Sequence, residues 1–426
     1  MKKALFALLP VAALTLSACG SGGSDSDASD AANDARGPIT IWYSNNAQEV
    51  AWGKEMVAQW NATHPEEKIT AQEIPAGKSS EEVIGAAITA GNAPCLILNT
   101  APAAVPAFQK QGGLVALDDF PDGKKYLQDR VGDRLSQYAS PDGKYYQMPW
   151  KSNPVMIFYN KQLFKKAGLN PDSPKLSSYE DFLDTSRKLV ASKAAKAAIW
   201  PAPSSEFYQS WFDYYPMFTA QTGRQLVEDG KAQFASPDGI KVAELWKTMY
   251  AERLAPNETY NGDAFADGKS AMATVGPWAV SVYGDKVEWG VVPVPTPDGA
   301  AGKGTFSDEK SMGMYTSCKN RGTAWDVMKF ATSVDQDGEL LEATGQMPMR
   351  ADLTGAYPSY FASHPEYKVF AEQAEHTVEA PNVPNSVEVW QTFRDAYTKA
   401  VIFGKGDLTT ALEDAAAEVD ELVQGQ

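Results

Sequence analysis

The sequence predicts an α/β protein built from two lobes. In the first hundred residues after a short leader, apolar strands alternate with amphipathic helices, which is typical of a sheet covered on both faces. From Pro38 onward roughly 390 residues remain, too many for one hydrophobic core. The chain therefore has enough length for two large cores.

The N-terminal segment has the features of a secretory signal. Lys2 and Lys3 precede a 13-residue apolar run, Ala4 to Leu16, which is too short to span a bilayer, and L-S-A-C follows, ending at Cys19. We predict that residues 1–18 are a signal peptide. The pattern resembles the bacterial lipobox, so Cys19 is expected to carry two acyl chains, which anchor a protein stably.

Residues 20–37 contain no large apolar side chain, so this stretch cannot bury enough surface to fold. We predict that residues 19–37 are a lipidated cysteine followed by a flexible tether, whose reach is roughly 20–25 Å. The folded part is then expected at the outer face of the cytoplasmic membrane. The lipid anchor would be its only contact with that membrane.

The composition excludes several classes of function. The formal net charge is −16 and no Lys/Arg cluster opposes it locally, so we expect no nucleic-acid partner. The three histidines share no metal-ligand spacing, and no phosphate-binding loop or hydrolase motif occurs, so we expect neither a metal nor a cofactor. Besides Cys19, the chain has only Cys95 and Cys318, an even pair in an oxidising compartment.

The first elements alternate between strand and helix. Strands are predicted at 39–43, 68–74 and 95–100, from runs rich in β-branched and aromatic residues. Helices are predicted at 49–62 and 79–90, from apolar residues that recur at helical spacing.

Later elements follow the same signals. Strands are predicted at 155–160, 289–295 and 311–317. Ser177 and Glu180 form a capping box at the start of a helix, and Asp407 is the predicted N-cap of the last helix.

Several motifs occur in a specific order. The runs YNKQLFKKAGL (159–169) and GKSAMATVGPW (268–278) are the most specific, and GGLVALDD (112–119) and GQMPMRADL (345–353) accompany them. Over most of the chain this order resembles the extracellular solute-binding proteins of ABC importers, in the oligosaccharide-binding branch that includes maltose-binding protein. Such a protein is a monomer and not an enzyme, and we expect the same here.

The resemblance implies a two-lobed, type II periplasmic-binding-protein-like fold, with the ligand in the cleft between the lobes. It places three hinge crossings near 150–153, 305–311 and 347–351. It assigns residues 38–150 and 311–347 to lobe 1, and residues 153–305 and 351–426 to lobe 2.

A sugar has many hydroxyls and apolar C–H faces, so its site needs planar polar groups and flat aromatic rings. The resemblance assigns stacking to Trp278 in G-P-W and to Trp390 in P-N-S-V-E-V-W. Trp211, in the family's variable binding stretch, and Trp150, at the first crossing, are each either a ligand contact or a core residue.

Polar candidates lie at strand ends and at the crossings. Ligands of open α/β sheets lie beyond the carboxyl ends of strands, where this chain has Asn45, Asn46 and Asn99, although asparagine also simply forms turns. Five polar or charged residues at the crossings are predicted to contact the ligand. The alternatives are that they are solvated charges or that they stabilise the hinge. These candidates are Lys151, Asn153, Asp308, Glu309 and Arg350.

The resemblance also predicts a disulfide between Cys95 and Cys318. In the family, the strand that returns after the second crossing runs antiparallel beside the third strand. The end of one strand therefore lies near the start of the other, and position 95 is usually Asp. The alternative is that both are buried free thiols.

The main prediction is a lipid-anchored protein that captures a neutral oligosaccharide and delivers it to an ABC permease. The first alternative is that the protein has the same fold but binds a polyamine, glycerol phosphate or a peptide. A phosphate ligand would require clustered cations, of which the candidate cleft segments offer only Lys151, Lys310 and Arg350. An extracellular hydrolase is a weaker alternative, because 54 acidic residues leave a carboxylate pair open although no hydrolase motif occurs.

Overall fold

The computed structural model describes residues 31–44, 46–76, 79–201 and 212–425. Its strands are short, and they form two main sheets. The strands are β1 Ile39–Tyr43, β2 Ile69–Glu73, β3 Leu96–Thr100, β4 Met148–Ser152, β5 Met156–Asn160, β6 Ala197–Ile199, β7 Val227–Glu228, β8 Lys231–Ala232, β9 Ser270–Val275, β10 Trp289–Val292, β11 Thr305–Phe306, β12 Lys310–Met314, β13 Met347–Pro348 and β14 Thr377–Val378.

Helices surround both sheets. They span Ala47–Thr63, Ser80–Thr89, Val105–Lys110, Gly123–Val131, Lys161–Lys166, Tyr179–Ala191, Tyr214–Thr222, Pro237–Ala251, Trp278–Tyr283, Arg321–Ala331, Val334–Thr344, Leu353–Ala356, Pro358–Ser363, Lys368–Ala374, Ser386–Tyr397 and Leu408–Val423. Within the described ranges, none of these helices has the length and apolar content that crossing a bilayer requires.

Lobe 1 is the part of the molecule built on the six-stranded sheet, in the order β13-β4-β12-β3-β1-β2. β1 runs parallel to β2 and β3, whereas β12 returns antiparallel between β3 and β4. Trp52, Met56 and Trp60 recur on one face of helix Ala47–Thr63 and are buried. Trp52 also donates its indole N–H to the backbone oxygen of Gln336, at 3.1 Å. The helical period of the sequence thus produces the core of this lobe.

Lobe 2 is the part built on the four-stranded sheet, in the order β10-β5-β9-β6. β5 is buried at all five positions and pairs antiparallel with β9 and β10. Helices Tyr179–Ala191, Pro237–Ala251 and Ser386–Tyr397 contribute Phe182, Trp246 and Phe393 to one continuous apolar core. Two sheets, each with its own core, confirm the predicted two-lobed α/β fold.

Three short links lie between the lobes. They are residues 153–155 between β4 and β5, 307–309 between β11 and β12, and 349–352 between β13 and helix Leu353–Ala356. The first two lie side by side. The backbone N–H of Asn153 donates to Ser307 O at 2.7 Å, and the Oγ atoms of Ser152 and Ser307 are 3.0 Å apart. The third link is hydrogen-bonded to the first lobe through Met349 N and Trp150 O, at 2.8 Å. The links therefore form one contiguous connection.

Local details differ from the sequence prediction by small amounts. Ser178, not Ser177, is the N-cap, and its Oγ accepts from Asp181 N at 3.0 Å. Asp407 is confirmed as the N-cap of the last helix. The predicted strand 289–295 ends sooner, at Val292, because Pro293 has no N–H for the ladder.

The predicted disulfide is confirmed. Sγ of Cys95 is bonded to Sγ of Cys318, and the two α-carbons are 4.4 Å apart. The register explains this proximity, since Met314 of β12 pairs with Leu96 of β3 and Tyr315 N donates to Cys95 O at 3.0 Å. Both cysteines belong to lobe 1.

The last part of the predicted tether packs against lobe 1, which corrects the prediction for residues 31–37. Arg36 forms ion pairs with Glu67 at 2.9 Å and with Asp326 at 2.5 Å. Gly37 N donates to Oγ1 of Thr323 at 3.1 Å. Polar contacts fix this segment, so a search for apolar residues could not have detected it. Cys19 and the rest of the predicted tether lie outside the described residues.

Candidate functional site

The main cavity lies between the two lobes, beside the links. Its volume is about 810 Å³. Lobe 1 contributes helix Ser80–Thr89, the end of β3 and helix Val105–Lys110, whereas lobe 2 contributes Phe212 and part of helix Ser386–Tyr397. The side chains that line it include Glu81, Glu82, Asn99, Phe108, Gln111, Phe212, Phe306, Asp308, Glu309, Lys310, Glu379, Val387 and Gln391.

Asn99 reaches the cavity as the strand-end rule predicted. It is the penultimate residue of β3, and its φ of 89° lies in the left-handed region. Asparagine tolerates that region better than most residues do, because its short side chain can bond locally. This turn of the backbone brings Asn99 to the cavity wall at the carboxyl end of a strand.

Asp308 and Lys310 form an ion pair on the second link, with Lys310 Nζ 2.7 Å from Asp308 Oδ1. Burial by itself lowers the pKa of Lys310, but the carboxylates of Asp308, Glu81 and Glu379 together outweigh burial, so that pKa is raised. The lysine is thus held as a cation and is neutralised locally. The predicted cavity position of Asp308 agrees with the structure.

Glu309 lies between these two residues and is 1% exposed. Its Oε1 accepts from Trp150 N at 3.2 Å and from Ser311 Oγ at 2.8 Å. Its Oε2 has no hydrogen-bond partner within the described residues. Burial, followed by the charge of Glu379, raises the pKa of Glu309 well above its ordinary value.

Glu379 was not identified from the sequence. It directly follows β14, which pairs with β11 at the edge of the links, and it is 2% exposed. Its Oε1 accepts from Ala380 N at 2.8 Å, and its Oε2 has no partner in the described part of the chain. Burial raises the pKa of Glu379 to about 7. The only local signal was an acid directly after the β-branched pair Thr377 and Val378, which is too common to be specific.

Trp278 is at the rim of the cavity rather than in its wall. Its half-buried ring contacts Phe212, with centroids 5.8 Å apart, and Phe212 lines the cavity. A Cβ on Gly276 would lie 1.9 Å from the indole, so this glycine lets the ring fold back over the G-P-W turn. Stacking of a ligand on Trp278 stays a prediction.

Two other tryptophans are core residues, which differs from the stacking predicted for Trp390 and agrees with the core alternative for Trp150. Trp390 is 3% exposed and packs against Tyr215 and Phe393, with centroids 5.7 and 6.0 Å apart. Trp150 is 1% exposed and packs on Trp52 at 5.3 Å. Neither ring offers a face to the cavity in this conformation.

The remaining predicted contacts divide into two groups. Asn46 caps helix Ala47–Thr63, its Oδ1 accepting from Gln48 N and Glu49 N, as the turn-forming alternative proposed. Asn45 and Trp211 lie outside the described residues.

Lys151, Asn153 and Arg350 contact other protein groups near the links and do not line the cavity. Buried Lys151 pairs with Glu49 at 2.5 Å, and Gln346 donates to the same carboxylate oxygen at 2.7 Å. Asn153 donates to Gln346 Oε1 at 3.2 Å. Contact of these residues with a ligand stays a prediction, and in this conformation their side chains bond protein groups instead.

Arg350 belongs to a second cluster, in which Asp337 accepts from both Arg130 at 2.6 Å and Arg350 at 2.9 Å. Asp337 and Arg130 are fully buried. Burial raises the pKa of Asp337, although the two guanidinium groups oppose that rise. Arg350 therefore stabilises the third link, which was the alternative to a ligand contact.

The cavity wall is acidic and partly aromatic. Among the described residues, five carboxyl groups line it, against the single cation Lys310, and three phenylalanines add flat apolar surface. No group of three His, Cys, Asp or Glu residues in the described ranges could hold a metal ion. Such a wall can bind hydroxyl-rich or cationic ligands, and it is poorly suited to an anion.

Comparison with known proteins identifies the family. Residues 44–337 match the family of bacterial extracellular solute-binding proteins. The chain is 25% identical over 351 residues to the maltodextrin-binding protein MdxE of Bacillus subtilis, covering 79% of each chain. This agrees with the resemblance found in the sequence motifs.

Solved structures show the same fold. The cyclic alpha-maltosyl-1,6-maltose binding protein of Arthrobacter globiformis superposes with a TM-score of 0.76 at 20% identity, covering 92% of this chain and 100% of that one. UgpB of Mycobacterium tuberculosis, in complex with glycerophosphocholine, gives 0.76 at 19% identity, covering 92% and 99%. At these identities the likeness establishes architecture alone.

Proposed function

This chain belongs to the bacterial extracellular solute-binding protein family, and from that premise we propose that it captures a neutral oligosaccharide and delivers it to an ABC permease. The cavity between the lobes is the observation that carries the proposal. Its volume of about 810 Å³ lies within the range of small-molecule sites, roughly 300–1,000 Å³.

The chemistry of the wall suits a sugar. Phe108, Phe212 and Phe306 can contact C–H faces, while Asn99 and Gln111 can bond hydroxyls. Several relatives of the same family bind oligosaccharides by name, including the maltodextrin-binding protein of Bacillus subtilis. These supports concern the class of ligand, and linkage and chain length depend on the loops around the cavity.

The proposal includes a lipid anchor on Cys19 that holds the protein at the outer face of the cytoplasmic membrane. The basic start, the short apolar run and L-S-A-C support it. The intact mass of membrane-extracted native protein tests it, because diacylated Cys19 should be the mature N-terminus. An unmodified terminus elsewhere would refute the anchor without affecting the cavity.

Another small solute is the main competing ligand. The wall disfavours glycerol phosphate, because Lys310 is its one cation among the described residues and is already paired with Asp308. The excess of carboxyl groups in the cavity wall favours a polyamine more strongly than the sequence alone indicated. A hydrolase would place two carboxyl groups around a glycosidic bond, so cleavage products must be sought as well.

A thermal-shift panel distinguishes these ligands. The panel contains maltotriose, N,N′-diacetylchitobiose, a galacto-oligosaccharide, spermidine and glycerol 3-phosphate, each with chromatography for breakdown products. A ligand at 100 times its dissociation constant stabilises the folded state by about 2.7 kcal/mol. We expect stabilisation by at least one intact neutral oligosaccharide. Stabilisation by spermidine alone, or accumulation of shorter sugars, would contradict the proposal.

A further inference from the structure

Two buried carboxyl oxygens at the cavity have no partner within the described residues. They are Oε2 of Glu309 and Oε2 of Glu379, and both residues line the cavity. Buried polar atoms are usually hydrogen-bonded, because leaving one unpaired costs the desolvation of that group. Two such atoms on one wall of a ligand cavity indicate a place where the ligand supplies the missing bonds.

The two carboxyl groups belong to different segments of the chain, the second link and the residue after β14. The first lobe fixes Glu309, through Trp150 N and Ser311 Oγ. Both lobes hold the backbone of Glu379. Its carbonyl oxygen accepts from Tyr215 Oη at 2.6 Å and from Gln225 Nε2 at 3.1 Å in lobe 2, and its N–H donates to Gln137 Oε1 of lobe 1 at 3.0 Å. A ligand that bonds both free oxygens therefore contacts the second link and the residue after β14 at once.

The charges around the pair do not allow both groups to ionise easily. From the second link, Asp308 adds negative charge and Lys310 adds positive charge, and these two neutralise each other. Glu81 faces Lys310 from helix Ser80–Thr89. The hydroxyls of Tyr138 and Tyr215 also interact with this pair. Two buried carboxyl groups without a free cation share protons rather than carry two charges.

We propose that Glu309 and Glu379 form a two-point subsite for sugar hydroxyls, in which one carboxyl group is protonated and donates while the other accepts. This inference rests on the proposed function and specifies its ligand contacts. A neutral carboxyl group adds a hydrogen-bond donor beside a carboxylate acceptor, and a hydroxyl can accept from the first and donate to the second. A cationic ligand would instead need both groups ionised.

Glutamine and alanine substitutions distinguish a subsite for sugar hydroxyls from a subsite for a cation, because glutamine keeps a donor and an acceptor but cannot ionise. The variants are Glu309→Gln, Glu379→Gln, Glu309→Ala and Glu379→Ala. Glu372→Gln, an exposed position on helix Lys368–Ala374, is the matched control. Binding of the best oligosaccharide of the panel, starting with maltotriose, is measured calorimetrically between about pH 5.5 and about pH 8.5, bracketing the pKa of Glu379 near 7.

We expect wild-type affinity to fall on the order of tenfold across this range as the shared proton is lost. Glu379→Gln should bind within about threefold of wild type at the lower pH and show a flatter pH profile. The alanine variants should lose on the order of tenfold or more in affinity, as for removal of a buried polar contact. The control variant should behave as wild type.

Infrared spectra of the ligand-free protein give a second readout. A protonated-carboxyl band should be present near neutral pH and should diminish in either glutamine variant. Loss of binding in both glutamine variants, or unchanged affinity in both alanine variants, would overturn the subsite while leaving the proposed function intact. If the wild-type protein binds no panel sugar at any pH, the proposed function fails and the sugar subsite fails with it.

Discussion

The two lobes stabilise their cores by different means. Lobe 1 has the disulfide Cys95–Cys318, the charged cluster around Asp337 and the ion pairs of Arg36. Lobe 2 relies on a large aromatic cluster, with Tyr214, Phe393 and Tyr397 in mutual ring contact. The difference teaches that lobe 1 adds a long-range covalent link to its packing, whereas lobe 2 has an extensive aromatic cluster around its own buried ion pair, Asp213–Arg394.

The largest expected effect concerns the disulfide. Replacing both Cys95 and Cys318 with serine should destabilise lobe 1, because the bond closes a loop across a sequence separation of 223 residues. The chain-entropy model gives up to roughly 5 kcal/mol, and measured values are often smaller. Urea unfolding followed by lobe-specific labels should show an earlier transition in lobe 1 and little change in lobe 2. Equal shifts in both lobes would contradict the division of roles.

A somewhat smaller effect is expected from Asp337→Asn. This change leaves the buried Arg130 without its counter-charge, which typically costs roughly 3–5 kcal/mol. The matched variant in lobe 2 is Asp213→Asn, opposite Arg394 at 3.0 Å. Each variant should lower the unfolding free energy chiefly of its own lobe. If Asp337→Asn is as stable as wild type in urea, the cluster does not stabilise lobe 1.

Trp278→Ala tests what lobe 2 contributes to the cleft. Loss of the ring next to Phe212 should weaken oligosaccharide binding by roughly 1–3 kcal/mol with little change in stability. Trp390→Ala is the contrast, because its buried ring should instead cost roughly 3–5 kcal/mol of folding free energy. Calorimetry and urea unfolding of both variants separate a ligand contact from a core residue. Unchanged affinity in Trp278→Ala would remove this residue from the site.

The smallest effect concerns the segment that docks on lobe 1. Arg36→Ala should cost at most about 1 kcal/mol, since both of its ion pairs are partly exposed. Proteolysis should nevertheless become faster at residues 31–37, because their attachment to lobe 1 is weakened. Arg187→Ala, which removes a comparable exposed pair with Glu252 in lobe 2, is the control. Identical cleavage rates in wild type and Arg36→Ala would show that the contacts hold nothing in place.

The sequence predicted much of the fold because hydrophobic period and caps are local signals. β1 occurs at 39–43 as predicted, and Asp407 caps the last helix. The site was harder, because periodicity does not say which indole faces a cleft. Trp390 and Trp278 both follow a proline in their motifs. Tertiary packing nevertheless buries Trp390, whereas Trp278 is only partly buried.

Glu379 shows most clearly what a local sequence pattern cannot predict. It reaches the cavity because β14 pairs with β11, and these two-residue strands are separated by 70 residues of sequence that no local pattern connects. Lys151 is the opposite case, a residue that was predicted to contact the ligand because it lies at the first crossing. The deciding partner was Glu49, 102 positions away, which could not be identified from the local sequence.

The disulfide has a consequence for survival in a protease-rich environment. The bond joins residue 95 to residue 318, so the whole stretch between them is a covalent ring that includes much of lobe 2. A single backbone cut anywhere inside that ring opens it without releasing a fragment. The C-terminal helices after residue 318 lie outside the ring and lack this protection. A nicked molecule could therefore keep both halves of its cleft together until a reductant separates them.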